Sequence, residues 1–315
     1  NRDVEGNVFT AYYSENFKSF EYKTQPFLDA VKFSANAITA RLAAADAALY
    51  NFGTTGQYTI EFKLRIHAFG TLNSTIFFKS NSPANSDTGW WFIHNGSDGS
   101  WRFVIRGTAA YTLHSKLLGA AAPPVMVVNK WYRLTAKIYM EGTKRYMIIY
   151  QDGVKASNPM EITGQNFNNN IDLWAGFKSG YGNVTNQSIA DIRIWNTALP
   201  DAKILESACS NSVSTSDPYY GNLIGYWPGN DGLASFKNYS PLAEGKDMKL
   251  AGGFAWEPHP IPTCGTEVPI PVDQVPLRNS DIAAQIYYWY GVNISDKWNI
   301  DGKVFLSLFE QEFIK

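Results

Sequence analysis

Apolar and polar residues alternate along many short stretches of this chain. Tyr58–Ile66 reads YTIEFKLRI, with Ile60, Phe62, Leu64 and Ile66 on one face and Glu61, Lys63 and Arg65 on the other. A period of two is how a strand reads when one side meets a core and the other meets solvent. Ser188–Leu199, SIADIRIWNTAL, sets Ile192 and Ile194 against Asp191, Arg193 and Trp195. Arg145–Val154, RYMIIYQDGV, is a strand running into an Asp-Gly turn. Strands are expected at Ala30–Phe33, Tyr58–Ile66, Thr75–Lys79, Trp90–His94, Trp101–Arg106, Tyr111–Lys116, Trp131–Tyr139, Arg145–Tyr150, Asp172–Phe177 and Ile189–Trp195. Turn signals at Asn95–Ser100 (NGSDGS), Glu141–Thr143 and Gln151–Gly153 separate them. Short strands with frequent turns predict a sandwich or barrel. Strands and helices do not alternate, which argues against a parallel α/β sheet.

Helix is scarce. Leu199–Ser207 (LPDAKILES) predicts a short one. A second is expected in the tail, capped by Ser280, striped by Ile282, Ile286 and Trp289, and ended by Gly291. Four segments follow: an extended piece over 1–26, a β-sandwich over 27–208, an annex over 209–264 packed on it, and a tail over 265–315. The tail opens with a stiff Pro-rich linker, Pro269–Pro276.

Composition narrows the function classes. Formal net charge is −1, with no basic surplus of the kind that nucleic acid requires. No apolar run is long enough to span a bilayer. The chain carries 10 Trp, 18 Tyr and 19 Phe, a mix that suits β-rich extracellular proteins. It starts at Asn1 without a signal segment, which is uninformative about export. Cys209 and Cys264 match no zinc or redox spacing. Two readings stand: a disulfide, worth roughly 4 kcal/mol on the chain-entropy model, or two reduced buried thiols.

In order and spacing these strands, with Arg193–Leu199 (RIWNTAL) ahead of the short helix, resemble the concanavalin-A-like jelly roll of the laminin-G-like kind. The resemblance covers roughly residues 28–208. It implies a mostly β, antiparallel sandwich that binds rather than catalyses. The tail, Ser280–Phe305, resembles the C-terminal end of the alkaline-phosphatase and sulfatase superfamily: Asp281, Ile282, Ala283, Ile286, Gly291, Asp301 and Gly302 fit, whereas Ala284, Gln285 and Val304 depart. Together the two resemblances imply a secreted protein of Bacteroidetes type, of which this chain is the non-catalytic part. That superfamily's chemistry needs two metals held by Asp and His clusters. The four His residues, His67, His94, His114 and His259, form no such cluster in the sequence.

The jelly roll also houses glycoside hydrolases, which place paired carboxylates on one strand. Here the family's E-x-D-x-x-E pattern is absent, and Glu61, Asp172 and Asp191 stand alone in their strands. Asp3 and Glu5 have the spacing but lie at the N-terminal end. Calcium is the ion the resemblance implies, and it takes several oxygen ligands. Asp87, Asn95 and Asp98 form one candidate set, and Asn183, Asn186 and Asp191 another. The competing reading is ordinary turn chemistry.

Sugar binding uses open aromatic rings edged by polar groups. Gly89–Trp101 (GWWFIHNGSDGSW) supplies both. Because successive side chains alternate, one of Trp90 and Trp91 must leave the core face. Trp90, Trp91, His94 and Trp101, with Lys178, Tyr181 and Asn183 of KSGYGN, are the candidate ligand contacts. The competing reading has the outer indole covered by annex or tail. Arg102, Arg106, Arg133 and Lys137 are expected on a solvated sheet face with cross-strand ion pairs.

The expected function is a non-catalytic carbohydrate-binding module of a secreted, periplasmic or cell-surface protein, with a glycan as partner. One alternative is a structural accessory that docks against a hydrolase domain. Another is a divergent hydrolase, which predicts two carboxylates within about 5–10 Å in a cleft.

Overall fold

The structure is a computed structural model. It describes residues 28–33, 41–45, 48–70, 73–80, 87–96, 98–116, 118–119, 123–176, 186–208, 210, 212–229, 235–242, 246–258, 283–284 and 286–287. The N-terminal segment, both cysteines and most of the tail lie outside these residues.

Seventeen strands are described: β1 (Leu28–Phe33), β2 (Arg41–Ala44), β3 (Tyr58–Ala68), β4 (Ser74–Ser80), β5 (Gly89–His94), β6 (Trp101–Arg106), β7 (Ala110–His114), β8 (Trp131–Glu141), β9 (Lys144–Gln151), β10 (Val154–Lys155), β11 (Met160–Glu161), β12 (Leu173–Gly176), β13 (Asn186–Trp195), β14 (Leu223–Trp227), β15 (Ser235–Phe236), β16 (Met248–Ala251) and β17 (Phe254–Pro258). One α-helix of the described residues, α1, covers Asp201–Ala208. The first sheet runs β10-β9-β8-β3-β13-β1-β17, with β11 on β9 and β14 on β13; the second runs β15-β16-β2-β12-β4-β5-β6-β7. The strand pairings are antiparallel throughout both described sheets. The fold is therefore the mostly β sandwich the alternation predicts.

The core forms where the inner faces meet. Ile60, Phe62, Leu64 and Ile66 of β3 are buried as the period of two requires, facing Phe77, Trp90, Phe92 and Phe103 of the second sheet. Phe62 and Phe92 meet edge to face with centroids 4.9 Å apart, a geometry that suits the ring quadrupoles. In β13 the period slips, because Ile189 and Ile192 are both core residues. A bulge between Ala190 and Arg193 absorbs the slip, with Asp191 at φ 47°.

Three expectations are corrected. The outer face of β3 is not solvated: Glu61 and Lys63 are 0 % exposed. A second apolar cluster, Ile148, Tyr150, Trp195, Leu199, Ile204, Leu223 and Tyr226, brings α1 and the chain after it onto that sheet. The annex, moreover, is part of the sheets rather than packed on them: β14 pairs with β13, β17 with β1, and β16 with β2. In the tail, Ala283, Ala284, Ile286 and Tyr287 are helical. There Ala284 is buried and Ile286 is 43 % exposed, so Ile286 does not lie on the buried face the stripe predicted.

Candidate ligand-binding edge of the second sheet

The Trp doublet splits across β5. Trp90 points inward, stacked on Phe52 at 5.7 Å and meeting Phe77 edge-on. Trp91 points outward, where Phe78 and Val104 pack beside it with Ile93 and Trp174. Both are closed to solvent, Trp90 at 1 % and Trp91 at 4 % exposure, so neither offers the open ring that the sequence led us to expect. Trp101 is also interior, and its Nε1 donates to Gln151 Oε1 at 3.0 Å. His94 is fully buried, its ring stacked on Phe69 at 5.1 Å. Burial pushes the His94 pKa down to about 4, against the nearby Asp98 charge. Trp90, His94 and Trp101 thus build the core rather than a surface. Lys178, Tyr181 and Asn183 lie outside the described residues.

Register defines the outer face of this sheet. One row crosses Trp174, Phe78, Trp91, Val104 and Thr112; the next crosses Ile93, Arg102 and His114. Arg102 and Arg106 project from β6 on this face and are partly exposed. Arg133 and Lys137 belong to the other sheet, on β8.

Beyond His114 the β5–β6 turn closes a polar rim. Asn95 Nδ2 donates to Ser100 Oγ at 2.9 Å and lies 3.3 Å from His114 Nε2. Asp98 Oδ1 accepts from Ser100 N at 2.9 Å and from Ser100 Oγ at 2.5 Å, while Oδ2 accepts from Lys116 Nζ at 2.7 Å. Partial burial raises the Asp98 carboxyl pKa, but Lys116 and Ser100 outweigh it and hold the group below the usual carboxylate range. Burial and the Arg102 charge push the His114 pKa down. Asn95 Oδ1 has no hydrogen-bond partner. Arg102 was expected on a polar sheet face, but sequence reasoning missed Ser100, His114 and Lys116 as partners in this rim; the signal was the β6–β7 hairpin, which sets His114 opposite Arg102.

The proposed calcium set does not converge. Asp87 precedes Gly89 and Asn95 follows His94, so the length of β5 separates them, on the order of 20 Å. Asp98 is also occupied by an ammonium that a cation would have to displace. The second set fails at Asp191, whose carboxylate is bound by Arg133 and by Arg193, the latter at 2.6 Å. Burial would raise the Asp191 pKa, yet the Arg133 and Arg193 charges hold it far below the ordinary range. Among the described residues no three His, Cys, Asp or Glu side chains gather as a metal set.

Two carboxylate pairs bear on hydrolysis. Glu61 and Asp191 both contact Arg193 and are closed to solvent, so neither reaches a substrate. Glu206 and Asp217 line a cleft of about 620 Å³ between α1 and the Ser210–Tyr219 loop. Both bind Lys203 Nζ, Glu206 at 2.6 Å. The ammonium stands between them, where a glycosidic bond would have to lie.

A family model described as the concanavalin A-like lectin/glucanases superfamily matches residues 36–205. The chain belongs to that superfamily. A second model, a domain of unknown function (DUF4983), matches residues 213–306. It takes in the stretch read as resembling a sulfatase end, and it is the family that the comparisons find there. No curated protein matches. Among solved structures, the chain is similar to the heptameric SAP-like pentraxin of Limulus polyphemus, at 14 % identity and TM-score 0.47, covering 72 % of this chain and 94 % of that one. It is also similar to the ligand-binding domain of botulinum neurotoxin serotype D in complex with N-acetylneuraminic acid, at 15 % identity and TM-score 0.43, covering 58 % and 42 %. A third is the CBM40 of the Ruminococcus gnavus IT-sialidase bound to α2,3-sialyllactose, at 13 % identity and TM-score 0.38, covering 56 % and 97 %. Within the lectin/glucanase superfamily, fold alone does not fix what is bound. Among the described residues no helix is long and apolar enough to cross a membrane.

Proposed function

We propose that this chain is a non-catalytic glycan-binding module of a secreted, periplasmic or cell-surface protein, and that the rim at Asn95, Asp98, His114 and Lys116 takes the sugar. One observation carries the reading. The rim gathers an amide, a carboxylate, an imidazole and an ammonium on the partly exposed Asn95, Asp98 and His114 and the exposed Lys116. Sugar hydroxyls both donate and accept, so a mixed set of donors and acceptors suits them. Arg102 and Ile93, in the same row as His114, extend the surface.

The test is a glycan array followed by calorimetry, using neutral and acidic polysaccharides with and without calcium. Asn95→Ala and Asp98→Ala are expected to weaken binding at least ten-fold in a folded chain. Lys203→Ala, in the distant cleft, is expected to leave it unchanged. Uniform silence across the panel overturns the reading.

A second reading has the chain as a structural accessory to a hydrolase domain. The closure of both Trp90 and Trp91 favours it. It predicts no glycan binding and a direct complex with that domain.

A further inference from the structure

The outer face of the second sheet is closed in a narrow band. Phe78 is 0 % exposed, Trp91 4 % and Val104 5 %, although all three point away from the core. Their apolar partners among the described residues, Ile93 and Trp174, belong to the same sheet. A neighbour within a sheet flanks an outward side chain but cannot roof it. Something therefore lies across the band.

Its width can be read from the register. Thr112, at the end of the same row, is exposed. Ile93, Arg102 and Arg106, one step along the strands, are partly exposed. Phe78 and Val104 sit on β4 and β6 with β5 between, two strand spacings or about 10 Å apart. That is about the width of one helix. The cover is one helix wide and centred on Trp91.

Among the described residues two helical pieces are candidates. α1 is committed to the first sheet, where Ser207 Oγ donates to Glu61 Oε1 at 2.6 Å. The other is the helical piece formed by Ala283, Ala284, Ile286 and Tyr287. Ala284 is 0 % exposed, Ala283 and Tyr287 are half-buried, and Ile286 is 43 % exposed. Positions 283, 284 and 287 share a helix face, and 286 lies off it. The piece is thus pressed against a surface on one side. Phe78, Trp174 and Tyr287 each make an interaction beyond those given above. The chain from Pro258, the end of β17, to Ala283 reaches on the order of 80 Å when extended, ample to cross from one sheet to the other.

We propose that the helical piece of Ala283, Ala284, Ile286 and Tyr287 seats its Ala284 face across Phe78, Trp91 and Val104, so that these residues of the chain itself cap the aromatic row. The small Ala284 permits close approach to the indole, and Tyr287 lies against the ring edges. The polar rim at Asn95–Lys116 stays outside the seat, so the docking stands independently of the glycan reading.

Cysteine labelling of the full chain, resolved by peptide mass spectrometry, tests it. Ala284→Cys is expected to react with a maleimide at least ten-fold more slowly than Ile286→Cys. Adding Val104→Glu, which places a charge in the seat without touching the core, is expected to bring the Ala284→Cys rate up to that of Ile286→Cys. Thr112→Glu, in the same row beyond the seat, is expected to leave it slow. The reciprocal pair covers a Val104→Glu chain that fails to fold: Val104→Cys is slow alone and at least ten-fold faster with Ala284→Glu. An Ala284→Cys that labels as fast as Ile286→Cys overturns the proposal. So does one that stays protected over a folded Val104→Glu sandwich, because another segment then covers the row. A Val104→Cys rate indifferent to Ala284→Glu overturns it as well.

Discussion

Trp90 and Trp91 are adjacent in β5 and stand back to back, each buried in a different apolar cluster. The consequence for stability is asymmetric. Trp90 is enclosed by both sheets, with Phe52, Phe77 and Phe92 around it. Trp90→Ala leaves a cavity these rings cannot fill and is expected to cost about 3–5 kcal/mol. Trp91→Ala removes an indole on an outer face, where the cover can settle inward, and is expected to cost about 1–3 kcal/mol. Urea unfolding midpoints of the two variants check the order.

A buried ionic network fastens α1 to the first sheet. Arg193 Nε donates to Asp191 Oδ1 at 2.8 Å, and one terminal nitrogen donates to Ser207 Oγ at 2.8 Å. Arg133 donates to the Asp191 backbone carbonyl at 2.8 Å and to its carboxylate. Arg193→Met takes from Glu61 its arginine partner and leaves Asp191 with Arg133 in place of two arginines, in a dry site. It is expected to cost about 3–5 kcal/mol, more than Lys203→Met in the first turn of α1, whose ammonium is partly open to solvent. Because the folded Asp191 pKa is depressed, its contribution is present above the unfolded carboxylate value and is lost as pH falls through the acid range. Chemical denaturation of Arg193→Met and Lys203→Met at neutral pH, with the parent chain followed down to pH 3, measures both effects.

The alternation in Tyr58–Ile66 predicted which β3 residues meet the core, because a period of two survives in any sheet with one buried face. It did not predict that Glu61 and Lys63 would be buried as well. That depends on α1 and the chain after it folding back over the outer face, a tertiary event with no local trace in β3. β14 (LIGYW) went unread because it is five residues long and interrupted by Gly225. The candidate site divides similarly. Asn95 and Asp98 were legible as turn residues with oxygen donors, whereas His114 and Lys116 join them only through the β6–β7 register. The Asp87 error came from treating loops close in sequence as close in space; β5 carries the chain from one end of the sheet to the other between them.

His94 sets an acid limb of stability. Burial depresses its folded pKa to about 4, below the unfolded value of about 6.5. Between those values the unfolded chain binds the proton and the folded chain does not, so stability falls as pH drops from about 6.5 to about 4. The full span is of order 3 kcal/mol. His67 and His114, whose pKa values burial also lowers, add to the slope. His94→Phe keeps an aromatic ring against Phe69 and removes the titration. Its urea midpoint is expected to change less between pH 7 and pH 4.5 than that of the parent chain. An unchanged slope in the variant would show that His94 is not the source.

The boundary between the two matched families falls inside one folded unit. The lectin/glucanase match ends at residue 205 and the next begins at 213, yet β14, β16 and β17 pair with β13, β2 and β1 of the preceding region. Trp227, Phe236 and Met248 sit in the same core cluster as Phe62 and Trp90. A chain ending at residue 210 loses these side chains and bares three strand edges, which are templates for aggregation. It is expected to be insoluble or unfolded, and the full chain to unfold in one transition by fluorescence and circular dichroism alike. A point substitution probes the same junction without truncation. A Cβ on Gly225 would lie 2.5 Å from the Trp227 ring, so Gly225→Ala is expected to destabilise the whole sandwich by about 1–3 kcal/mol. A truncated chain that remains soluble and melts as cooperatively as the parent would show that the two regions fold separately.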